Sequence, residues 1–432
     1  MNPAVPRIPL GELTRASFKV GCLGFGGPAG QIALMHRIFV DEKKWIDEAR
    51  YLHALNYCML LPGPEAQQLA VYVGWLLNGV IGGIVAGVLF VLPGALVMFA
   101  LSWLYAAHAD LPGVAALFYG VKAAVLAIVA DAVLRIGRRA LKQRADVVIA
   151  FAAFAALFVF GVPFPLVVLS AALFGALRSV KAAGVMTEPK GSATTLRSVY
   201  GGLAAAVVWA GLWLGPVAAA WALLGRDHLL TQIGFLFSKL AVVTFGGAYA
   251  VLAYLQQQAV EAHGWLTAAQ MIDGLGLAET TPGPLVLVNQ FVGFQAGWNA
   301  GGGLMLAAAG AAMASWCTFA PSFLWIFAGA PLAERLRENR FAQGALSAIT
   351  AAVLGVIANL ALWFSLHVLF RRTAELATPW GRAIPLPEPA SLDPFAAVLA
   401  IAAAVALIRL RANLIAVIAA CAGAALLWSV VV

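Results

Sequence analysis

Charged side chains are scarce in this sequence: Asp, Glu, Lys and Arg make up 11% of its 432 residues, against about a quarter in a typical soluble domain. A chain so poor in charge, 62% hydrophobic and with a mean hydropathy of +0.91, cannot present an ordinary water-facing surface. Cysteine is rarer still. Cys22, Cys58, Cys317 and Cys421 lie scattered in apolar stretches, without zinc-type spacing, and read as small packing residues. His36, His53, His108, His228, His263 and His367 form no metal-spaced pair, so neither a metal nor a cofactor is expected. There is no HExxH, no paired His-Asp hydrolase set and no nucleophile with a base in view, which argues against a membrane-embedded enzyme acting on lipid phosphates. The amino terminus, MNPAVPRIPLGELTRASF, lacks an early apolar core, so no cleavable signal peptide is expected.

What the chain has instead is apolar length. Runs near or above the ~20 residues that span hydrocarbon recur at 79–105, 114–134, 200–224, 341–370 and 413–432. They are continuous and rich in Ala, Leu, Val and Gly rather than alternating, which predicts helices and not barrel strands. The fold class expected is an all-α polytopic membrane protein in the lipid bilayer. The net charge of +8 collects in short loops, as positive-inside orientation requires, and does not point to nucleic acid.

The sequence is built twice. Phe25-Gly26-Gly27 recurs as Phe245-Gly246-Gly247, an offset of 245 − 25 = 220. At that offset Lys19 meets Lys239, Trp45 meets Trp265, and Pro62-Gly63-Pro64 meets Pro282-Gly283-Pro284. Further on, VKAAVLAIVAD (121–131) aligns with ITAAVLGVIAN (349–359). The expected organisation is an N-terminal repeat over 12–178, a polar linker over 179–199, an extra hydrophobic segment over 200–228 and a C-terminal repeat over 229–431. The segment 135–144 is basic while the turn FGVPFP is uncharged; in the second half the matching turn, RLRAN, is basic, and ERLRENR (334–340) replaces AAHADLP (106–112). These contrasts favour inverted repeats. Arg37, Lys43, Lys44 and Arg50 have no basic counterparts in 257–270 and do not fit the same count.

Each half carries two breaks, Phe-Gly-Gly and Pro-Gly-Pro. Two prolines around a glycine end one helix and start another, and the amides of the new helix start are left without partners. Such an end carries about half a positive charge and several aligned donors, which makes it an anion site without an arginine. Four such breaks converging would form a pocket for a small oxyanion; taken singly, each is also explained as a bend for packing. The candidate substrate set is therefore Phe25, Gly26, Gly27, Pro28 and Gln31, then Pro62, Gly63, Pro64, Gln67 and Gln68. Its second-half members are Phe245, Gly246, Gly247, Thr280, Thr281, Pro282, Gly283, Pro284, Asn289 and Gln290. An ionised residue at the midplane costs roughly 2.5–3.5 kcal/mol, so Glu65 and Glu279 are candidates for proton coupling. The alternative for Glu65 is a favourable acid in a first helical turn. Lys19, Lys122 and Lys239 are the cations expected near substrate, with snorkelling as the other reading of Lys19 and Asp131 as a distant partner for Lys122. Trp45 and Trp265 are expected as membrane-interface anchors.

FGGPAGQIALM, LPGPEAQQLAVYVGW, VLPGALVM, TFGGAYAVLAYLQQ and LAETTPGPLVLVNQFVGFQAG, in that order, resemble the chromate ion transporter family in its long, two-domain form, over residues 12–431. The resemblance implies a proton-motive-force-dependent exporter of chromate in a bacterial inner membrane, with two homologous halves of opposite topology. The family motifs fall on Gly26, Gly27, Pro28, Pro62, Gly63, Pro64 and Glu65, and on Gly246, Gly247, Glu279, Pro282, Gly283 and Pro284; Pro28 has Ala248 as its counterpart, so a role for that proline is not shared. A general carrier of sulfate-like oxyanions is the alternative within transport; a passive channel and a lipid-phosphate enzyme are the alternatives outside it. Protons are the expected coupling ion. A homodimer is compatible with the reading, though nothing in the sequence requires one.

Overall fold

The Ala-, Leu- and Val-rich runs become helices in the computed structural model, which describes residues 8–25, 27–182, 196–245, 247–329 and 340–431. Gly26, Gly246, most of the expected linker (183–195) and the 334–339 part of the basic stretch lie outside the described residues. Six helices among the described residues are long and apolar enough to cross a membrane: Glu65–His108, Pro112–Ala140, Gly202–Leu224, Gly303–Gly329, Phe341–Leu369 and Leu414–Val431. Helices satisfy every backbone group within one segment, which is why apolar runs in lipid adopt them. The protein is an all-α polytopic membrane protein.

The secondary structure recurs with the sequence. Helices α1 (Leu10–Leu23), α2 (Gly27–His36) and α3 (Glu48–Cys58) have counterparts in α9 (Leu229–Val243), α10 (Ala248–Gln256) and α11 (Ala268–Thr280). Even the π-helical turns after α2 and α10, Arg37–Glu42 and Gln257–Ala262, keep the offset of 257 − 37 = 220. After Pro-Gly-Pro, α4 (Glu65–His108) is broken at Asn78 and Gly79, where φ is −136° and +64°. The second half breaks in a similar place, between α12 (Val288–Asn299) and α13 (Gly303–Gly329). Helix α8 (Leu196–Leu224) precedes α9 and covers most of the stretch expected as an additional segment.

The chain forms two compact units, each drawn from both halves of the sequence. Unit one comprises Met1–Trp103, Val180–Ala248 and Ala278–Gln343. Its core includes the α12–α13 pair, where a Cβ on either Gly293 or Gly310 would strike the other's carbonyl; small residues admit such close backbone approach in membrane helices. Trp213, Ala241, Ala320 and Leu324 pack α8, α9 and α13 together. Unit two comprises Leu104–Ser179, Tyr249–Leu277 and Gly344–Val432. There Ala124, Ala127 and Ile128 of α5 (Pro112–Ala140) pack on Ala403 of α15 (Pro394–Ala404) and on Val417, Ile418 and Cys421 of α16 (Leu414–Val431). All four cysteines are free, and Cys58, Cys317 and Cys421 are buried.

Two expectations need correction. The 371–393 stretch, for which an all-α chain predicts no strand, contains a β-hairpin, β1 (Thr373–Ala377) paired antiparallel with β2 (Ala383–Pro387). Trp45 and Trp265, expected at the membrane interface, are only 7% and 8% exposed. Trp45 stacks on Phe39 and Trp265 on His263, so their rings serve internal packing.

The turn from α2 to α3 is tied by His36, whose Nε2 lies 2.5 Å from Glu48 and whose Nδ1 lies 3.3 Å from Asp41. The Glu48 hydrogen bond, opposed by partial burial and assisted by the charges of Glu48 and Asp41, raises the His36 pKa above its ordinary value. A raised histidine stabilises fully below the pKa of the unfolded residue, and the contribution fades as pH rises through the folded value. His36→Gln is therefore expected to lower thermal stability in detergent at pH 6, by under about 1 kcal/mol for so exposed a pair, and to have a smaller effect at pH 8.

Candidate functional site

In unit one the breaks of the two halves complete one another. The Gly63 amide donates to the Thr244 carbonyl at 3.0 Å, and the Gly283 amide donates to the Gly24 carbonyl at 3.0 Å. Both pairs are the same contact with the halves exchanged, since 63 + 220 = 283 and 24 + 220 = 244. Reciprocity of this kind is the mark of a two-fold relation. Gly63 and Gly283 reach it with φ of +111° and +96°, a region that glycine enters without steric cost.

Around these bonds four helix starts line one cleft of about 350 Å³ of space between atoms, part of it open to the exterior. The first half supplies Pro28 and Gln31 of α2, with Gly63, Pro64, Glu65 and Ala66 at the start of α4. The second supplies Thr244, Gly247 and Ala248 before and at the start of α10, with Pro284, Leu285 and Val286 leading into α12. In α4 the first helical bond runs from the Gln68 amide to the Pro64 carbonyl, so the amides of Glu65, Ala66 and Gln67 have no intrahelical acceptor. Among the described residues no Lys or Arg lines the cleft. Helix ends are therefore the groups that could offer it positive potential. Glu65 faces it from one half, and its counterpart is Leu285. No group of three His, Cys, Asp or Glu suited to a metal exists among the described residues.

Gln31 and Gln68 hold the breaks in shape, and the other polar candidates tie the following helices to their neighbours. Gln31 Nε2 donates to the carbonyls of Gly24 at 3.1 Å and Gly283 at 2.6 Å, one from each half. Gln68 Nε2 donates to the Pro62 carbonyl at 2.7 Å and Gln67 Nε2 to that of Phe319 at 3.4 Å. Asn289 Nδ2 donates to Thr318 Oγ1 at 3.0 Å and Gln290 Nε2 to the Ala95 carbonyl at 2.8 Å. Pro62, Pro282 and Gly283 adjoin the cleft in sequence without being among its lining residues, and Phe25, Phe245, Thr280 and Thr281 also lie outside the lining. Glu279 is buried at 8% exposure and does not line it either.

The three lysines are not brought to the cleft. Lys19 and Lys239 are exposed on α1 and α9. Lys122, in unit two, has its Nζ 3.4 Å from the carboxylate of Asp273, which also accepts from Tyr105 Oη at 2.9 Å. Asp131, the partner expected for Lys122, pairs with Arg135 instead, one helical turn away at 3.2 Å. Sequence reading passed over Thr244, Ala66, Leu285 and Val286. The Ala66, Leu285 and Val286 side chains carry no polar group and the Thr244 hydroxyl is spent on the Leu240 carbonyl at 2.5 Å, so position relative to the duplicated breaks is the clue available.

A family model described as chromate transporter matches residues 11–176 and 231–426. A chromate transport protein of Pseudomonas aeruginosa is 35% identical over 350 residues, covering 80% of this chain and 79% of that protein. A probable chromate transport protein of Synechococcus elongatus is 30% identical over 406 residues, covering 89% and 93%. A chromate transport protein of Cupriavidus metallidurans is 30% identical over 359 residues, covering 82% of each. No solved structure gives a significant match.

Proposed function

This chain belongs to the chromate transporter family, and on that premise we propose that it exports chromate across a bacterial inner membrane, with the oxyanion bound at the helix starts of the unit-one cleft. The members it resembles are transporters, not enzymes. The observation that carries the binding reading is the meeting of four helix starts around one cleft whose lining has no basic side chain. Unpaired amides there would supply donors to a tetrahedral dianion. The reciprocal Gly63–Thr244 and Gly283–Gly24 bonds support inverted repeats over 12–178 and 229–431, with 179–199 as linker and 200–228 as an added segment. Lys19, Lys122 and Lys239 leave the proposed ligand set; Gln31 and Gln68 act in it chiefly by fixing the breaks, and Gln67, Asn289 and Gln290 by tying the following helices to their neighbours.

Export suits the physics of the membrane. Moving two uncompensated negative charges out of a cell that is negative inside is favoured by about 4.6 kcal/mol per 100 mV. An ionised Glu65 at the same helix start would repel the anion, so proton uptake at Glu65 would couple to substrate binding. Glu279, away from the cleft lining, becomes the weaker candidate. Leu285 and Val286 offer no group that separates chromate from sulfate, which favours sulfate as a competitor. The test is chromate uptake by everted vesicles containing wild type or Glu65→Gln, with the pH gradient and the potential collapsed separately. Saturable uptake, blocked by excess sulfate and losing its pH response in the variant, is expected. Equal pH response in both proteins would remove Glu65 from coupling, and absence of chromate flux would overturn the exporter reading.

A further inference from the structure

Unit two holds a second polar cleft, of about 310 Å³ between atoms, at the β-hairpin. Arg382, Gln256, Gln257, Glu261 and Asn359 line it, with apolar walls that include Leu157 and Phe164. The arginine is deliberately held. Thr378 clamps its backbone: the Arg382 amide donates to Thr378 Oγ1 at 3.1 Å, and both the Thr378 amide and hydroxyl donate to the Arg382 carbonyl, at 2.9 and 2.7 Å. Trp380 Nε1 donates to the Val159 carbonyl at 2.9 Å and its ring packs on Phe160. Under the guanidinium lies Gly161, at φ +65°, where a Cβ would strike Arg382 Nη1. Yet Arg382 Nε is buried with no hydrogen-bond partner, and the side chain forms no ion pair with Glu261. Glu261 Oε1 is engaged by Gln256 Nε2 at 2.8 Å.

We propose that this cleft is a second site for a tetrahedral oxyanion, anchored by the Arg382 guanidinium, with the amides of Gln257 and Asn359 as further donors. An unpartnered guanidinium N–H beside neutral amides matches an oxyanion in charge and in fork geometry. The Glu261 carboxylate weakens the site, as suits an anion that must also leave. The same chemistry would accept chromate or sulfate in solution or the phosphate of an anionic lipid headgroup. The proposal rests on the reading of this chain as an oxyanion carrier.

Equilibrium dialysis of the purified full chain against chromate tests it. Wild type is expected to bind two equivalents. Arg382→Gln should weaken one of them roughly 10-fold or more, the usual scale for a hydrogen bond to a charged group, with Arg382→Lys between. Glu261→Gln should tighten the same equivalent a few-fold, a gain that misfolding does not produce. One equivalent in wild type, unchanged by either substitution, overturns the second site and leaves the carrier reading standing; no bound chromate defeats both. Repeating the measurement in nanodiscs of phosphatidylcholine with and without phosphatidylglycerol separates the sources. Loss of the Arg382-dependent equivalent to phosphatidylglycerol identifies a lipid phosphate as the occupant, and indifference identifies the free anion.

Discussion

Lys122→Met is expected to leave little folded protein, whereas Lys122→Met combined with Asp273→Asn should recover most of the loss. Asp273 is 3% exposed, and its carboxylate has Lys122 Nζ at 3.4 Å and the Tyr105 hydroxyl at 2.9 Å. Removing the lysine strands a buried charge, which costs about 3–5 kcal/mol, while replacing both partners by neutral groups is often close to neutral. Asp273→Asn alone should fall between, because the lysine side chain is 25% exposed and retains some access to polar surroundings. Thermal denaturation followed by size-exclusion profile on the four proteins gives the coupling energy directly. A Lys122→Met protein as stable as wild type would show that the pair contributes nothing.

The second large effect concerns Gly94, in VLPGALVM. A Cβ at this position would collide with the carbonyl of Pro282 and come within 2.7 Å of Leu287 Cδ1. The carbonyl is backbone and cannot rotate away, so Gly94→Ala must push α4 off the second Pro-Gly-Pro, at a cost of about 1–3 kcal/mol. The displaced segment leads into Leu285 and Val286 of the cleft, so chromate flux should fall by more than expression does. Gly211→Ala in α8 is the control: nothing lies within 4 Å of its Cβ, and alanine in a helix is favoured over glycine by roughly 0.5–1 kcal/mol. Equal flux in the two variants would separate Gly94 from the site.

The breaks and the repeat were legible because proline and glycine act on their own backbone, and the offset of 220 seen in Phe-Gly-Gly and Pro-Gly-Pro carries into the π-helical turns. Pairings across the fold were not. Lys122 and Asp273 lie far apart in sequence, and nearby Asp131 was the partner that sequence suggested. The tryptophans misled because Trp45 and Trp265 have the amphipathic character of interface anchors but are used as interior rings. The hairpin was missed because TAELA and AIPLP are five residues each and the second is bounded by proline. Gln31, Gln67, Gln68, Asn289 and Gln290 are legible as polar residues beside the breaks, but chemistry alone did not reveal that the four glutamine amides would be spent on backbone carbonyls and that of Asn289 on the Thr318 hydroxyl.

If the halves are inverted repeats, as proposed, the two exchanged bonds, Gly63 to Thr244 and Gly283 to Gly24, would act as a see-saw. Any conformer that opens one and keeps the other has a twin with the roles of the halves reversed, and perfect duplication would make the twins equal in energy. Gln31 removes that degeneracy. It fastens the Gly24 and Gly283 carbonyls, while its counterpart, Val251, has no amide to give. At about 1 kcal/mol for a net hydrogen bond, each such tie would tilt the balance between twin arrangements roughly five-fold, toward the one in which the Gly24 and Gly283 carbonyls stay fastened.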